Sequence, residues 1–407
     1  MKLQWLQKAE ADALGEAEER VLLEQTPAHY PEYAAFLEKQ GTELFFRGPS
    51  GAVYRVGPAA IGVEICVRLP RPSEADLDDD LFAFLRWLVE GVGGEWSVAA
   101  LLQTKKLSEM PRSVYKLFPF VGNFIKVRGH YMHYVDVGKG EGKPTVVLLH
   151  GNPTWSFLYR EIIPKISKNC RAVAPDYIGF GLSDKPAEES WYTLENHAKC
   201  FTEFMERMQL KNVILVVQDW GGPIGIGYAQ EHPENVAGML LMNTWAWPDP
   251  SQYHCSVFPW RTWHAPFTGA YHFLRKNVLV ERGLFHATGD FEKMKSGPVL
   301  EGYSYVFPTE RSRIGMLAFP RNIPLKPGDL NWDRMADMER RLGSLKFPCR
   351  LLWGERDIVF PVENAYRFRK LLPNCTEPRL IANGRHFVQE DAPREISEEI
   401  LALAGSG

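Results

Sequence analysis

A carboxylate stands at the junction between an apolar run and a glycine-containing run of the chain. Residues 213–217 are the aliphatics Val-Ile-Leu-Val-Val, followed by Gln218, Asp219, Trp220 and two glycines. The aliphatic run predicts a strand buried on both faces, and the segment from Pro223 predicts a helix. A sharp strand-to-helix turn that presents a reactive side chain is a nucleophile elbow. We therefore predict that Asp219 attacks carbon through a carboxylate oxygen and forms a covalent ester.

Two further polar side chains follow the last two predicted strands, in the order that an acid and a base would need. Asp357 lies in the run Trp-Gly-Glu-Arg-Asp, and His386 lies in the run Gly-Arg-His-Phe. The order nucleophile, acid, base is the chain order of the α/β-hydrolase triad. We predict that His386 is the general base and that Asp357 orients it, with Glu355 and Asp391 as rival acids. His150 begins a turn and is expected to brace that loop.

The elements around these residues predict an α/β fold. From residue 118 the pattern opens with an antiparallel hairpin at 123–137 and then alternates strands and helices. The later predicted strands are 145–149, 171–174, 213–217, 239–242, 349–353 and 377–381. Such alternation implies a mostly parallel central sheet, with ligands outside the carboxyl ends of its strands.

The segment from about 244 to 324 interrupts this alternation and is predicted to form a helical lid. It is rich in aromatic residues, namely Trp245, Trp247, Phe258, Trp260, Trp263, Phe267, Tyr271, Phe273, Phe285, Tyr303, Tyr305 and Phe307. Most of these are expected to pack the lid onto the sheet. A minority should line an apolar pocket, because small-molecule sites are mostly apolar.

Residues 1–117 differ in character from the predicted catalytic domain at 118–407. Helical composition marks Glu10–Glu24 and Asp76–Glu90, and strand-like pieces lie at 43–46, 52–56 and 61–69. This pattern predicts a small α+β module. It contains no catalytic constellation, and the sequence assigns it no role.

Composition and charge argue against several classes of partner. The chain of 407 residues has a net charge of −3, which gives no electrostatic reason to expect nucleic acid or an anionic membrane. Its six cysteines are scattered without a CxxC spacing and are interpreted as reduced thiols. No apolar run approaches the roughly 18 residues that span a bilayer, and no secretion signal is visible. We expect a cytoplasmic protein, and the sequence assigns no oligomeric state.

Taken together, the motifs resemble those of the haloalkane dehalogenases, an Asp-nucleophile branch of the α/β-hydrolases. The resemblance covers about residue 118 to the C-terminus. Its motifs are HGNPTWSFLYR at 150–160, DYIGFGLSDKP at 176–186, QDWGG at 218–222, GERD at 354–357 and GRHF at 384–387. The resemblance implies an α/β-hydrolase fold and the release of halide from a small apolar halogenated substrate by water.

The resemblance also implies roles for individual residues. Asp219 is the nucleophile, His386 the base, and Trp220 and Asn152 are the side chains that hold the halide. Some members place the acid after the strand that corresponds to Met239–Met242, where this chain has Asn243. Because an asparagine cannot serve as a carboxylate, the acid should be Asp357. This combination is most similar to the third subfamily, with an Asp-His-Asp triad and an Asn-Trp halide pair.

Elementary chemistry supports the same roles. Displacement at an sp³ carbon releases an anion that needs stabilisation but no proton, and indole and amide N–H groups supply that stabilisation. The ester then needs water, which His386 can deprotonate while Asp357 stabilises the imidazolium. The backbone N–H groups of Asn152 and Trp220 should form the oxyanion hole of this step. No metal or organic cofactor is required.

Two other functions remain open at this point. An epoxide hydrolase shares the aspartate nucleophile but must protonate an epoxide oxygen, for which Tyr253, Tyr271, Tyr303 and Tyr305 are candidates. A non-catalytic binding protein could keep the pocket without the reaction. The intact set of Asp219, His386 and Asp357 argues against the binding protein.

Overall fold

The structure is a computed structural model. It describes residues 4–6, 13, 18–21, 44–47, 50–58, 63–68, 106, 110–120, 122–248 and 266–405. The helix predicted at Asp76–Glu90 and the lid aromatics Phe258, Trp260 and Trp263 lie outside these residues, as does Tyr253. The chain divides into two compact units, one of 1–110 with 119–123 and one of 111–118 with 124–407.

The first unit contains a five-stranded antiparallel sheet in the order β1-β3-β4-β5-β2. Its strands are β1 (Gln4–Leu6), β2 (Glu18–Val21), β3 (Leu44–Arg47), β4 (Val53–Pro58) and β5 (Val63–Arg68). The last three coincide with the strand-like pieces predicted from the sequence, and Phe45 and Val53 are buried on this sheet.

The helix predicted at Glu10–Glu24 is wrong where the chain is described. Residues Glu18–Val21 form the edge strand β2, in which Glu19 lies opposite Val67 of β5 in an antiparallel register. Helix propensity is a weak preference, and pairing with a neighbouring strand overrides it here.

The second unit is built on an eight-stranded sheet in the order β13-β12-β11-β10-β8-β9-β7-β6. Its strands are β6 (Asn123–Val127), β7 (His130–Val137), β8 (Thr145–Leu149), β9 (Arg171–Pro175), β10 (Val213–Asp219), β11 (Val236–Thr244), β12 (Cys349–Gly354) and β13 (Arg379–Ile381). Strands β8 to β13 pair in parallel, and β7 pairs antiparallel with β9. The prediction of a mostly parallel central sheet is confirmed.

Strand β10 lies in the middle of this sheet and is buried along its whole length. Val216 pairs with Leu148 of β8 on one side and with Leu240 of β11 on the other. Because helices cover both faces of a parallel sheet, a central strand needs apolar side chains on both faces, which the run of aliphatics supplies. The strand therefore fixes Asp219 at its carboxyl end.

Helices connect the strands and cover the sheet. They are α1 (Arg112–Leu117), α2 (Ile163–Ile166), α3 (Leu194–Arg207), α4 (Gly221–Glu231), α5 (Pro266–Ala270), α6 (Leu284–His286), α7 (Phe291–Lys295), α8 (Pro298–Ser304), α9 (Ile314–Arg321), α10 (Trp332–Arg341), α11 (Val362–Leu371), α12 (Val388–Asp391) and α13 (Pro393–Ala404). None of the helices in the described ranges is long and apolar enough to cross a membrane.

Helices α5 to α9 lie between β11 and β12, where the sequence predicts the helical lid. The Trp155 indole N–H donates to the carbonyl of Gly302 in α8 at 2.9 Å. A Cβ on Gly302 would lie 2.4 Å from the ring of Phe157, so only glycine allows this close approach. Tyr303 and Phe307 of the lid are buried, as expected for aromatics that pack the lid, whereas Phe267 is exposed.

Candidate active site

The carboxyl end of β10 turns sharply into α4 at Asp219. This residue has a φ of +50°, a left-handed conformation that costs a non-glycine residue about 1–2 kcal/mol. The two residues after Trp220 are glycines of necessity, since a Cβ on Gly221 would lie 2.5 Å from the Leu149 carbonyl oxygen and one on Gly222 would lie 1.9 Å from Thr244 Oγ1. The Thr244 hydroxyl donates to the Asp219 carbonyl oxygen at 2.6 Å. The turn is therefore held by close packing on both sides.

The elbow has a valine, Val217, two residues before the aspartate, where the usual pattern has a glycine. The space for this side chain comes from Gly225 in α4, because a Cβ at Gly225 would lie 2.7 Å from Val217 Cγ1. The helix thus accommodates the larger strand residue, and the geometry of the elbow is kept.

The structure brings the three predicted triad residues together. His386 Nδ1 lies 3.0 Å from Asp357 Oδ2, and His386 Nε2 lies 3.6 Å from Asp219 Oδ2. All three side chains are buried, with exposed fractions of 3% for His386 and 6% for each aspartate. One imidazole therefore lies between two carboxylates, with one ring nitrogen towards each.

Burial and charge act in opposite directions on His386. Burial disfavours the charged ring, but the nearby carboxylates of Asp357 and Asp219 favour it, and together they raise the pKa of His386 to about 10. Conversion of the Asp219 carboxylate into a neutral ester removes one of these charges. The pKa of His386 should therefore be lower in a state in which Asp219 carries no charge.

Two groups besides the His386 imidazole donate hydrogen bonds to Asp357. The Val359 backbone N–H donates to Oδ1 at 2.7 Å, and Asn243 Nδ2 donates to Oδ2 at 2.7 Å. Asn243 Oδ1 in turn accepts from the Gly354 backbone N–H at 3.1 Å. The asparagine at the alternative acid position therefore positions Asp357, a contact that sequence reasoning missed.

Asn152 lies 67 positions before Asp219 in the sequence, and Trp220 follows Asp219 directly. The structure places both residues next to Asp219. The Asn152 backbone N–H donates to Asp219 Oδ1 at 2.7 Å, and its Nδ2 donates to the Met316 carbonyl oxygen at 3.1 Å. The Trp220 ring is buried and stacks on Phe319 with 4.7 Å between ring centroids. Among the described residues, none accepts a hydrogen bond from the Trp220 indole N–H.

The rival acids and the bracing histidine take other positions. Asp391 accepts backbone N–H groups from Gly289 and Arg385, each at 2.8 Å, and Glu355 is exposed. His150 Nδ1 contacts the Gly151 carbonyl oxygen at 2.9 Å, and its Nε2 accepts from the backbone of the 176–186 loop at 3.0 Å. Burial lowers the pKa of His150, so the neutral ring serves as a buried link between two loops.

Among the candidate epoxide-opening tyrosines, Tyr303 has another hydrogen-bond partner and Tyr271 is partly exposed, while Tyr253 lies outside the described residues. Tyr303 donates its hydroxyl to the buried carboxylate of Glu390, which also forms a bidentate ion pair with Arg160. Tyr271 is 48% exposed. These contacts give Tyr303 a structural role in attaching α8 to α12.

A further side chain in direct contact with the base is Gln218, the residue before Asp219. Its Nε2 lies 3.2 Å from His386 Nε2 and 3.2 Å from the His386 carbonyl oxygen. Residue types and spacing do not indicate this contact, because the two residues are 168 positions apart. No group of three or more His, Cys, Asp or Glu side chains that could hold a metal ion occurs within the described ranges.

Known proteins share the fold of the second unit. A family model described as alpha/beta hydrolase fold matches residues 144–393. A cis-3-alkyl-4-alkyloxetan-2-one decarboxylase from Shewanella oneidensis is 34% identical over 70% of this chain and 88% of its own. Haloalkane dehalogenase 2 from Mycobacterium tuberculosis is 36% identical over 71% of this chain and 97% of its own.

A crystal structure of a haloalkane dehalogenase from Bradyrhizobium elkani superposes with a TM-score of 0.64 at 27% identity, covering 70% of this chain and 97% of that one. These matches cover the unit that carries Asp219, His386 and Asp357, and the family match begins after the first unit ends. The chain therefore belongs to the α/β-hydrolase family, in its haloalkane dehalogenase branch.

Proposed function

We propose that this protein hydrolyses the carbon–halogen bond of haloalkanes to an alcohol and a halide ion. The observation that carries the proposal is the arrangement of Asp219, His386 and Asp357 at the carboxyl end of β10, with His386 between the two carboxylates. Relatives named haloalkane dehalogenases that share 36% of their residues with this chain support it. Water is the second reactant, and no cofactor takes part in any step.

In the first step Asp219 displaces the halide and becomes an alkyl ester. The Asn152 N–H at Oδ1 fixes the direction of the carboxylate, which leaves Oδ2 to attack carbon. The Met316 carbonyl oxygen accepts from Asn152 Nδ2 and so fixes the orientation of the Asn152 side-chain amide. In the opposite orientation, the amide oxygen of Asn152 would face the carbonyl oxygen of Met316. The second amide hydrogen of Asn152 and the indole N–H of Trp220 then donate hydrogen bonds to the leaving halide.

In the second step water attacks the ester carbonyl carbon. His386 accepts the proton of this water through Nε2, and Asp357 stabilises the imidazolium through Nδ1. Negative charge develops on an oxygen of Asp219, where the backbone N–H of Asn152 already donates and that of Trp220 is the second proposed donor. The bond between Asp219 Cγ and the oxygen that carries the alkyl group then breaks, and this oxygen takes the proton from the His386 imidazolium and leaves as the alcohol. The new carboxyl group of Asp219 loses its proton to solvent, which regenerates the carboxylate.

Location, subfamily and domain roles belong to the same proposal. Cys170, Cys200, Cys349 and Cys375 are free thiols, which supports a reducing compartment such as the cytoplasm. An Asp-His-Asp triad with an Asn-Trp halide pair supports the third subfamily. Residues 1–117 are proposed to be a separate module from the catalytic domain at 118–407, and no partner other than substrate, water and halide is proposed.

The test is halide release from 1-bromobutane and 1,2-dibromoethane, measured beside diol formation from styrene oxide. We expect bromide from the wild-type protein and its loss in Asp219→Ala and Asn152→Ala. Diol without bromide would identify an epoxide hydrolase instead. Neither product, with unchanged ligand binding in the variants, would identify a non-catalytic binding protein.

A second candidate function is the decarboxylation of cis-substituted β-lactones. The observation that favours it is the 34% identical relative from Shewanella oneidensis, whose name describes this reaction and which covers 70% of the chain. The same Asp219 carboxylate can attack C4 of the β-lactone, the sp³ carbon bonded to the ring oxygen. The ring C–O bond then breaks, and the ring oxygen becomes part of a carboxylate held by the same N–H donors as a halide.

The alkyl ester formed in this way can collapse without water. The bond to the carboxylate breaks and releases CO₂, its electron pair forms the C=C bond, and the C–O bond to Asp219 breaks to restore the carboxylate. Inversion in the first step followed by anti elimination converts a cis lactone into a cis alkene. No proton is transferred, so His386 has no part in this reaction.

His386→Phe therefore separates the two functions. In dehalogenation this variant should release halide only once per protein, because its ester is not hydrolysed. In decarboxylation the same variant should continue to turn over cis-3,4-dialkyl-oxetan-2-one, measured as CO₂ and alkene. Loss of CO₂ release in His386→Phe, with wild-type activity present, would refute the water-free route.

A further inference from the structure

Gln218 is a fully buried glutamine whose side chain contacts the proposed base. Its amide nitrogen lies 3.2 Å from His386 Nε2 and 3.2 Å from the His386 carbonyl oxygen. An amide NH₂ has two hydrogens, so both contacts can be satisfied at once. No other described side chain, apart from those of Asp219 and Asp357, is bonded to the His386 ring nitrogens.

The orientation of this amide follows from its surroundings. With the opposite orientation, the Gln218 oxygen would face the His386 carbonyl oxygen, which is also an acceptor. In the orientation present, Gln218 Oε1 is buried and has no hydrogen-bond partner among the described residues. A buried acceptor without a partner costs about 1–3 kcal/mol, so the side chain is held with its donors towards His386 at the expense of its oxygen.

A donor directed at Nε2 can bond only to a ring nitrogen that carries no proton. The carboxylates of Asp357 and Asp219 favour the charged ring, and Gln218 opposes them. Water can transfer its proton to His386 only when Nε2 is unprotonated. The three groups thus act on one imidazole ring, two favouring its protonation and one opposing protonation of Nε2.

We propose that Gln218 is a positioning residue, whose amide nitrogen holds the His386 ring and favours the form in which Nε2 carries no proton. This inference rests on the proposed function, in which His386 is the base of ester hydrolysis. Gln218 does not touch the substrate carbon and contributes no proton. Gln218 instead increases the fraction of His386 in which Nε2 is unprotonated and can accept a proton from water.

The direct test is a titration of His386 by ¹⁵N NMR in an Asp219→Asn background. Asparagine at this position is neutral, like the alkyl ester, and therefore gives His386 the charge environment of the second step. We expect Gln218→Leu to raise the pKa of His386 by about half to one pH unit, the equivalent of one neutral hydrogen bond. Gln218→Glu should raise it further, because a carboxylate would replace the donor.

Gln389→Leu is the matched control. Gln389 is also buried, and its amide oxygen also lacks a partner within the described part of the chain. Its Nε2 donates to the Tyr159 hydroxyl at 3.4 Å rather than to His386. Loss of this glutamine should leave the titration of His386 unchanged. An equal shift in both variants would show that the effect is general repacking.

The kinetic counterpart is the pH dependence of ester hydrolysis in a single turnover of 1-bromobutane. The acidic limb of this profile should move to higher pH in Gln218→Leu by the same half to one pH unit, roughly a three- to ten-fold slower reaction on that limb. A purely structural role would lower the rate at every pH without moving the limb.

Unchanged NMR titration in Gln218→Leu and Gln218→Glu would overturn the proposal. Gln218→Met serves the same test if Gln218→Leu does not fold. Because the titration needs no haloalkane, a wild-type protein that released no halide would refute the proposed function and leave the result for Gln218 intact.

Discussion

Asn243 provides a quantitative test of how a residue outside the triad controls the second chemical step. Its side chain donates to Asp357 Oδ2 at 2.7 Å and accepts from the Gly354 backbone N–H at 3.1 Å, and it is fully buried. Its φ is +37°, a conformation that glycine adopts without strain. Asn243→Gly therefore removes both hydrogen bonds while it leaves the backbone unstrained.

The expected loss follows from these two bonds. Removal of a donor from a buried carboxylate costs about 1.5–3 kcal/mol, and an unsatisfied backbone N–H costs about 1–3 kcal/mol. Because water can occupy part of the space left by the side chain, we expect the free energy of unfolding to fall by about 2–4 kcal/mol. Asp357 keeps the bond from Val359 at 2.7 Å, so His386 loses alignment but keeps its partner. We expect ester hydrolysis to slow about 10-fold, which corresponds to about 1.4 kcal/mol.

The assay is rapid-quench measurement of bromide and of the Asp219 ester with 1-bromobutane. The first equivalent of bromide should appear at the wild-type rate, and the ester should accumulate. The control is Asn235→Ala, which removes a bridging asparagine at the opposite end of β11, with a donor bond to Leu210 and an acceptor bond from Asn212. Equal slowing of hydrolysis in the control, or loss of the first bromide in Asn243→Gly, would refute the reasoning.

Three further outcomes follow from the structure. Trp220→Phe keeps the ring but removes the indole N–H, and should slow the first bromide about 10²-fold or more, measured in the same rapid-quench assay; an unchanged first bromide would remove Trp220 from the halide site. Glu390→Gln leaves the Arg160 guanidinium buried without its bidentate ion-pair partner, and should lower the free energy of unfolding by about 3–5 kcal/mol in urea denaturation. The pKa of His386 is raised from 6.5 to about 10. The interaction of the charged ring with the carboxylates therefore stabilises the folded protein fully below pH 6.5, and this stabilisation is lost as the pH rises towards 10. The difference in unfolding free energy between wild type and His386→Phe should accordingly shrink over that range, and a difference that grows would contradict the assigned sign.

Much of the second unit follows from local sequence patterns. The aliphatic run before Asp219 predicts the central strand, because burial on both faces requires apolar side chains at successive positions. The small residues Gly221 and Gly222 predict the turn, and the alternation of strands and helices predicts the parallel sheet. These features depend on neighbours in sequence, which is why the sequence reveals them.

The contacts that refine the site depend on residues far apart in sequence. Gln218 meets His386 across 168 positions, and Asn243 meets Asp357 across 114. Residue types alone indicate neither pair, since a glutamine or asparagine at a strand end has many possible partners. The first unit shows the same limit, because Glu18–Val21 has a helical composition but pairs as a strand with β5. The roles assigned to the site residues stay predictions until the variants are measured.

The covalent ester on Asp219 is the central claim, and mass spectrometry of the protein after reaction tests it most directly. His386→Phe exposed to 1-bromobutane should gain one butyl group, and peptide mapping should locate it on Asp219. The double variant with Asp219→Asn should gain none. Bromide release from His386→Phe with repeated turnover and no butyl adduct, or an adduct on another residue, would contradict the account.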